Sequence, residues 1–214
     1  MPVVSVTKES TNPGMAMNVF RNMVKYAPGT QIVTNENWTL VTKTRYVDER
    51  SNHHFFRVDE SHKISSLEVI PNLSGYDAIA ISDYDKGFLS TEQIEEICST
   101  HEYVFLDTKK IIGPWAARAR FIKINDFEYN RSKAHIGSEI EKKLICTQGE
   151  LGCHFNGRSY EVPRVAVRDT SGAGDAFFAS LVLRYLHSQQ IEDAIKVANT
   201  LASQVVSQRG VTTI

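Results

Sequence analysis

A glycine-rich segment, residues 169–175, contains the residue types that phosphoryl transfer requires. Its small residues let backbone N–H groups converge on one point, and an apolar helix is predicted to begin at Ala173. The unpaired donors and positive macrodipole of a helix N-terminus favour an anion such as a phosphoryl group. Asp175, in the first turn, is placed to accept a hydroxyl proton as general base. The segment therefore predicts a catalytic base beside an anion hole made by Gly172, Ala173 and Gly174.

The same residue types also suit a plain helix start, where small and acidic residues are favoured whatever the function. Two other nucleotide-binding patterns fit less well. No G-x-x-x-x-G-K-[ST] pattern occurs, which excludes a Walker-type loop, and Phe177 occupies the place of the third small residue of a dinucleotide fingerprint. Phosphoryl transfer and a structural helix start are the two interpretations left open at this point.

The elements that must position this segment alternate along the chain. Strands are predicted at residues 3–6, 39–46, 54–58, 78–81, 104–106, 121–124 and 144–147, and a further β-like run at 165–167 leads into the glycine-rich segment. Ser90 and Gln93 have the spacing of a capping box, and long helices are predicted at residues 173–187 and 191–208. From residue 76 onward this order predicts an α/β fold with a parallel sheet covered by helices.

The N-terminal part of the chain has a different pattern. Residues 39–46 and 55–58 alternate apolar and polar side chains around the turn-prone stretch 48–52, which predicts a partly exposed hairpin with two unlike faces. With residues 2–8, this region (38–60) is expected to form a small β lid. Because unpaired strand edges favour association, a homodimer through the lid is expected.

The composition is that of an ordinary globular protein. The 214 residues have a formal net charge of −1 and are 42% hydrophobic, and we expect a single domain over 1–214. Lysines and arginines are scattered, so no nucleic-acid partner is expected. No apolar run approaches the ~20 residues that cross a bilayer. The three cysteines, an odd number without a C-x-x-C pair, argue against a disulfide scaffold or a zinc knuckle. We therefore expect no membrane contact and a cytoplasmic location.

At residues 169–175 the sequence resembles the PfkB/ribokinase family of carbohydrate kinases and matches its signature D-T-x-G-A-G-D at every specified position. The resemblance covers essentially the whole chain and, within the family, is greatest to kinases of D-glycero-D-manno-heptose 7-phosphate. It implies a ribokinase-like three-layer sandwich with a mostly parallel central sheet, helices on both faces and a small β lid. It also implies ATP and Mg²⁺ as cofactors, Asp175 as base, and a monovalent cation such as K⁺ at Asp169 and Thr170.

On the nucleotide side, the resemblance assigns Thr147, Gly149 and Gly152 to a T-x-G-x-x-G turn at the phosphates and ribose. Such a turn after a buried strand is also typical of a plain hairpin. Asn125 and Glu128 resemble an N-x-x-E element, in which Glu128 organises Mg²⁺ through water, although a solvated helix start has the same pattern. Asn199 matches a helix position near the adenine, or is a polar residue on a helix surface.

On the acceptor side, residues 13–18 resemble P-G-G-A-A-N, in which Gly14 makes room and Asn18 contacts sugar hydroxyls; Met15 replaces the second glycine. Residues 83–87 and 107–109 resemble the D-Y-G-K-G and D-P-K of heptose kinases. The resemblance thus assigns to a phosphorylated sugar Lys86, Asp107, Lys109 and, from the lid, Arg45. For each lysine and arginine, a solvated surface position is the alternative.

The resemblance also predicts missing parts. It begins at residues 2–4, inside the family pattern, so we expect the acidic first strand that holds the sugar to be absent. A second shortening is expected between Asn18 and Trp38, where about twenty residues replace a βαβ unit of ~30 residues. Sugar binding should suffer more than nucleotide binding.

The sequence therefore predicts an ATP-dependent kinase of a sugar or sugar phosphate, with heptose 7-phosphate as the named candidate. A second hypothesis is a non-catalytic nucleotide-binding or assembly protein with an incomplete acceptor site. A third, a structural dimer joined through the ribbon, predicts no nucleotide binding at all.

Overall fold

The structure is a computed structural model that describes residues 3–208 and 210, apart from residues 49, 52 and 63. Two strands form a separate ribbon, β1 (Val41–Val47) and β2 (His54–Ser61). Six strands form the main sheet: β3 (Ile79–Asp83), β4 (Val104–Thr108), β5 (Phe121–Asn125), β6 (Leu144–Thr147), β7 (Cys153–Phe155) and β8 (Arg158–Tyr160). The helices are α1 (Met15–Val24), α2 (Thr91–Thr100), α3 (Asp126–Ser132), α4 (Ser138–Glu141), α5 (Ala173–Ser188) and α6 (Ile191–Val206).

The main sheet is mostly parallel. Its strands lie in sequence order from β3 to β8, with parallel pairing from β3 through β6 and antiparallel pairing from β6 through β8. All five residues of β4 are buried, as expected for a strand covered on both faces. The predicted α/β fold with alternating strands and helices is confirmed.

Helices cover both faces of the sheet, which makes three layers. On one face, Phe105 and Ile145 pack with α1, α5 and α6 in a cluster that includes Phe178 and Ile195. On the other face, Leu106 and Ile122 pack with side chains of α2 and α4. Because side chains alternate along a strand, residues 105 and 107 of β4, and 121 and 123 of β5, point toward α5.

Local signals in the sequence explain several element boundaries. The predicted capping box of α2 is present, since the Ser90 side chain accepts from the Gln93 backbone and the Gln93 side chain accepts from the Ser90 backbone. The two C-terminal helices end close to their predicted limits and pack against each other. These two helices hold the glycine-rich segment, which forms the start of α5, against the carboxyl ends of the parallel strands.

The ribbon of β1 and β2 is antiparallel and has two unlike faces. In its register, Tyr46 lies opposite Phe56 and Arg45 lies opposite Arg57. One face is therefore apolar, with Tyr46 and Phe56 stacked at 4.5 Å between ring centroids. The other face carries Lys43, Arg45 and Arg57. The expected hairpin is present, and its strands hydrogen-bond only to each other among the described residues.

Two strand predictions need correction. Residues 3–6 and 165–167 form no strand, because neither stretch has a neighbouring strand with which to exchange backbone hydrogen bonds. Val3, Val165 and Val167 are exposed. Conversely, the hairpin of β7 and β8 was not predicted, although its Asn156-Gly157 turn is a standard hairpin signal. Both turn residues have positive φ, 47° and 74°, as a type I′ turn requires.

Candidate functional site

The start of α5 presents unpaired backbone donors. Gly172 precedes the helix in the left-handed conformation, with φ of 83°, and no side chain caps the helix. The first N–H groups of an α-helix have no partner within the helix, so they are available to a ligand unless the preceding turn engages them. Here Ala173 N–H donates to the Thr170 carbonyl at 3.3 Å. Gly174 in the first turn is exposed, which leaves this end of the helix open to solvent. The arrangement can bind an anion at the position that the sequence predicted.

Asp175 is buried beside these donors, with a relative exposure of 1%. Its Oδ2 accepts a hydrogen bond from Asn18 Nδ2 at 3.0 Å, and its Oδ1 accepts one from the Tyr84 hydroxyl at 3.3 Å. Burial raises the pKa of Asp175 to about 6, although the bond from Asn18 opposes the rise. A carboxylate with this pKa is charged at neutral pH yet takes up a proton readily, which suits a general base.

The two donors to Asp175 come from elements far apart in the sequence. Asn18 lies on α1, which packs against α5 and is preceded by Gly14, whose φ of 98° and ψ of 179° favour glycine. Tyr84 follows β3, and burial raises the pKa of its hydroxyl, so this group stays a neutral donor. Asn18 was predicted to contact the sugar, but in this structure its amide donates to the Asp175 carboxylate.

A buried ion pair lies next to Asp175. Lys123 Nζ of β5 is 2.9 Å from Asp107 Oδ2 of β4, and both residues are at most 5% exposed. The predicted substrate residue Asp107 is therefore engaged with Lys123. The sequence analysis assigned no role to Lys123. It lies two residues before Asn125 in β5, where a lysine inside an otherwise apolar strand was the available signal.

The predicted N-x-x-E element is a capping box at the start of α3. Asn125 Oδ1 accepts from the Glu128 backbone at 2.9 Å, and Glu128 Oε2 accepts from the Asn125 backbone at 2.9 Å. Glu128 Oε1 also contacts Lys109 Nζ in an ion pair. The interpretation as a solvated helix start is wrong for Glu128, which is buried, with an exposure of 4%. Lys109, predicted to bind the substrate, is directed at this carboxylate and lies 5.2 Å from the centroid of the Tyr84 ring.

The loop after β3 carries the predicted substrate residue Lys86 near the site. Asp85 replaces the expected glycine and adopts a positive φ of 50°, so the backbone keeps the conformation that glycine favours. Its carboxylate pairs with Lys110 Nζ at 2.6 Å. Because that acid is neutralised by Lys110, it opposes the binding of a second anion less than an unpaired Asp85 would.

The predicted nucleotide turn joins β6 to β7. Thr147 ends β6, Gly149 has φ of 59°, and Gly152 has φ of 87°. A Cβ on Gly152 would lie 2.0 Å from the carbonyl oxygen of Tyr160, so only glycine fits there. Asn199 is buried and donates to that carbonyl at 2.8 Å. Its interpretation as a residue on a helix surface is wrong, and its amide fixes the end of β8 beside the turn.

The proposed cation position at Asp169 and Thr170 lies in the turn before α5. Asp169 Oδ1 accepts from the Ser171 backbone at 2.8 Å, and Oδ2 accepts from the Gly210 backbone at 3.2 Å. These bonds shape the turn that presents Gly172. In the part of the chain that the structure describes, no group of three or more His, Cys, Asp or Glu side chains is arranged to hold a metal ion.

The ribbon extends its basic face toward the site. Lys43 Nζ lies 6.0 Å from the centroid of the Tyr84 ring, whose hydroxyl donates to Asp175. Partial loss of solvent contact lowers the pKa of Lys43, and the nearby charge of Lys86 lowers it further. Arg45 lies on this same face, opposite Arg57, which pairs with Asp59 at 2.6 Å. The ribbon and the loop after β3 therefore bring positive charges together near the catalytic end of the sheet. Lys43 was not predicted from the sequence.

The residues present fit a nucleotide phosphate and a magnesium ion. The uncapped start of α5 suits a phosphoryl group. Glu128 offers a carboxylate at the same edge of the sheet, and Mg²⁺ is commonly held through water by one or two carboxylates. Since Glu128 is engaged with Asn125 and Lys109, contact through water fits better than direct ligation.

The order of strands and the three layers give this chain a ribokinase-like α/β fold. The structure is similar to an archaeal nucleoside kinase of the ribokinase family from Methanocaldococcus jannaschii, with a TM-score of 0.58 and 17% identity over 78% of this chain and 62% of that one. It is also similar to a ribokinase from Thermotoga maritima, with a TM-score of 0.58 and 15% identity over 79% of this chain and 65% of that one. The predicted ribokinase-like fold is confirmed.

Residues 119–214 match the model of the pfkB family carbohydrate kinase, which confirms the predicted resemblance over that part of the chain. The chain is also similar to the "Bifunctional protein HldE" of Helicobacter pylori (strain G27), with 26% identity over 98% of this chain and 58% of that protein. The chain thus spans little more than half the length of this curated relative.

That alignment runs over 269 residues, more than the 214 of the chain. Because it covers nearly all of this chain, the relative contains internal segments that the chain lacks. This agrees with the expected internal shortening.

No helix in the described ranges is long and apolar enough to cross a membrane.

Proposed function

We propose that this protein transfers the γ-phosphoryl group of ATP to a hydroxyl group of a sugar or sugar phosphate. The observation that carries the proposal is the position of Asp175. A buried carboxylate with a pKa of about 6 lies in the first turn of a helix whose N-terminus is uncapped and open to solvent. General base and anion hole are the two parts that phosphoryl transfer needs together.

In the proposed reaction, the acceptor hydroxyl donates its proton to the Asp175 carboxylate. At the same time, the oxygen of that hydroxyl forms a bond to the γ-phosphorus. The bond between that phosphorus and the bridging oxygen breaks, and ADP leaves. The backbone N–H groups of Gly172 and Gly174, and that of Ala173 once it leaves the Thr170 carbonyl, stabilise the charge on the phosphoryl oxygens. Asn18 and Tyr84 orient the carboxylate through their hydrogen bonds.

The nucleotide side of the site consists of Thr147, Gly149 and Gly152 at the turn, with Asn199 supporting the turn from α6. Bound ATP supplies the phosphoryl group, and Mg²⁺ held near Asn125 and Glu128 would neutralise charge on the phosphates. A monovalent ion such as K⁺ is proposed beside Asp169 and Thr170, where it would stabilise the turn before α5. We propose that Gly14 leaves space for the acceptor beside Asn18.

A phosphorylated acceptor suits the charges around the entrance. Arg45 and Lys86 offer positive charge to a phosphate on the sugar. Lys43, whose side chain extends from the ribbon to the Tyr84 ring, adds to this charge. Asp107 and Lys109, which belong to the ion-pair cluster at the carboxyl edge of the sheet, would contribute to binding of the acceptor. We propose heptose 7-phosphate as the substrate to test first, because the sequence resembles kinases of that sugar phosphate.

The experiment is an ADP-release assay with ATP, Mg²⁺ and a panel of sugars and sugar phosphates. We expect release with a sugar phosphate and none above background for Asp175→Asn. Asp193→Asn is the matched control, because Asp193 is only partly buried on α6 and pairs with Arg184. Equal ADP release by wild type and Asp175→Asn, with both folded, would remove the proposal.

A second candidate is a nucleotide-binding protein without turnover. It is favoured by the engagement of Asp107 and Lys109 with neighbouring side chains, which leaves fewer groups for an acceptor. Calorimetry separates the two candidates. Binding of ATP without ADP release on any sugar or sugar phosphate would support this second function.

We also propose that the ribbon joins two copies of the chain. Its apolar face includes Phe56 and Val58, with exposures of 50% and 42%, and both strand edges lack a partner in the described region. Sedimentation should give twice the mass of one 24.1 kDa chain. The substitution Val58→Lys should shift that mass to one chain, and a monomeric wild type would refute the dimer.

A further inference from the structure

We propose that the ammonium group of Lys123 binds the phosphoryl group in transfer as part of the anion hole, and that Asp107 is the positioning residue that holds it there. This inference rests on the proposed function, since its ligand is that same phosphoryl group. It adds a positively charged side chain to a site otherwise built from backbone donors.

Lys123 lies beneath the start of α5 because of the strand register. β4 and β5 pair with Asp107 directly opposite Lys123, and β3 pairs with Ser82 opposite Asp107. The ring of Tyr185 on α5 packs on Phe105 and Phe121, which identifies the face of the sheet that this helix covers. Residues 107 and 123 lie two positions further along their strands and therefore on the same face.

The ammonium group reaches the anion hole itself. A Cβ built on Gly174 would lie 3.2 Å from Lys123 Nζ, and that side chain is the nearest one to the missing methyl group. Gly174 is one of the three residues whose N–H groups form the proposed anion hole. The absence of a side chain at this position therefore lets a cation approach the backbone where the phosphoryl group would lie.

Hydrogen-bonding capacity is left over at this point. An ammonium group has three donors, and among the described residues Lys123 donates only to Asp107 Oδ2. Ser82, Asp107 and Lys123 lie opposite one another on β3, β4 and β5. Asp107 Oδ1 and Ser82 Oγ are buried and have no hydrogen-bond partner in the described part of the chain. Asp107 Oδ1 lies 3.9 Å from Lys109 Nζ, so the donors left for a phosphoryl oxygen are those of the Lys123 ammonium group and the Ser82 hydroxyl.

The charge state suits the role. Burial alone would lower the pKa of Lys123, but the charge and hydrogen bond of Asp107, assisted by Glu128 and Asp175, raise it. Lys123 therefore stays protonated and moves no proton in the reaction. Its contribution is fixed positive charge, from a side chain that is itself 5% exposed, where the phosphoryl oxygens carry negative charge.

The test compares ADP with a mimic of the phosphoryl group in transfer. Calorimetry measures binding of ADP with Mg²⁺, in the absence and presence of aluminium fluoride, to wild type and Lys123→Met. We expect Lys123→Met to bind ADP within about threefold of wild type but to bind ADP with fluoroaluminate about 100-fold more weakly, the usual loss for one donor of such a hole. Lys143→Met, which removes a partly buried lysine that donates to the Ala117 carbonyl, should match wild type in both.

A second variant guards against misfolding, because Lys123→Met leaves Asp107 buried without its partner. Asp107→Asn/Lys123→Met removes both charges. It should restore the unfolding midpoint without restoring fluoroaluminate affinity. A purely structural ion pair predicts the opposite: affinity returns with stability, or both affinities fall together, and either result overturns the inference.

The two proposals fail in distinguishable ways. If wild type binds no ADP, the proposed function fails and the inference with it. If wild type binds ADP with fluoroaluminate tightly and Lys123→Met binds it equally well, only the inference fails. Absence of any tightening by fluoroaluminate in wild type also overturns the inference, even where ADP binds.

Discussion

The carboxyl edge of the main sheet and the β1–β2 ribbon both carry charged residues, but in opposite surroundings. At the sheet edge, Asp107, Lys123, Glu128 and Asp175 are at most 5% exposed and are bonded to one another or to close neighbours. On the ribbon, Lys43 and Arg45 are exposed. Buried charges are fixed in place and strongly perturbed, whereas exposed ones are screened and adaptable. The sheet edge therefore suits chemistry, and the ribbon suits capture of a substrate.

The largest effect should come from the buried region. Asp175→Asn should reduce sugar-dependent ADP release by about 10³-fold or more, in the upper range for loss of a general base, while ADP binding persists. Steady-state kinetics and calorimetry measure the two quantities. A loss of less than tenfold would mean that the buried carboxylate is not the base.

A substitution at Gly152 tests whether the nucleotide turn has room for a side chain. Gly152→Ala places a methyl group 2.0 Å from the Tyr160 carbonyl, so we expect a loss of at least about 3 kcal/mol in the free energy of unfolding. Gly157→Ala is the matched control: it also has positive φ, but its Cβ meets nothing within 4 Å. Strain alone should cost it about 1 kcal/mol. Urea unfolding measures both, and equal losses would contradict the clash.

The burial of Asp175 should also be visible as a cost in stability. The difference between its ordinary pKa of 3.8 and about 6 corresponds to roughly 3 kcal/mol. Because the folded state holds the proton more tightly, this group destabilises the fold progressively as pH rises from about 4 to 6. Asp175→Asn should therefore unfold at a higher temperature than wild type at pH 7.5 and at a similar temperature at pH 4. A variant less stable than wild type at pH 7.5 would contradict the prediction that the buried Asp175 charge destabilises the fold.

The same titration should set the acid limb of activity. Catalysis needs the deprotonated carboxylate, so kcat should fall about tenfold per pH unit below about 6. Asn18→Ala removes a hydrogen bond that favours the charged form, and should move this limb to higher pH. Asn130→Ala, an exposed change on α3, should leave the limb in place. A pH profile of kcat for the three proteins decides the point.

The smallest effect should come from the ribbon. Arg45→Ala should raise KM for a phosphorylated sugar about tenfold, the value of one charge-assisted hydrogen bond, and leave KM for ATP unchanged. Stability should change by less than about 0.5 kcal/mol, because the side chain is exposed. Arg50→Ala, at the turn of the same ribbon, is the control. An equal rise in KM for both variants would mean that the ribbon acts only through its overall charge.

The sequence and the structure agree where local chemistry decides the outcome. The α/β order, the start of α5 at Ala173 and the capping box of α2 follow from periodicity and capping residues. The strands expected at residues 3–6 and 165–167 are absent because strand formation needs a partner, which a local pattern does not reveal. Roles assigned by resemblance to nucleotide and substrate residues stay predictions.

The pairing between strands explains what was missed at the site. Lys123 and Asp107 are sixteen residues apart and meet only because β4 and β5 align in register. Likewise, the contact of Asn18 with Asp175 depends on the packing of α1 against α5. A lysine within a buried strand is the signal that could have directed attention to this pair.

The close approach of Lys123 to Gly174 has a consequence for variation among related proteins. The two positions share one small volume: a Cβ at position 174 would lie 3.2 Å from Lys123 Nζ, so the ammonium group would have to move by a few tenths of an ångström to make room for it. Relatives with alanine or serine at position 174 should therefore carry a shorter residue at position 123. In an alignment, the two columns should change together.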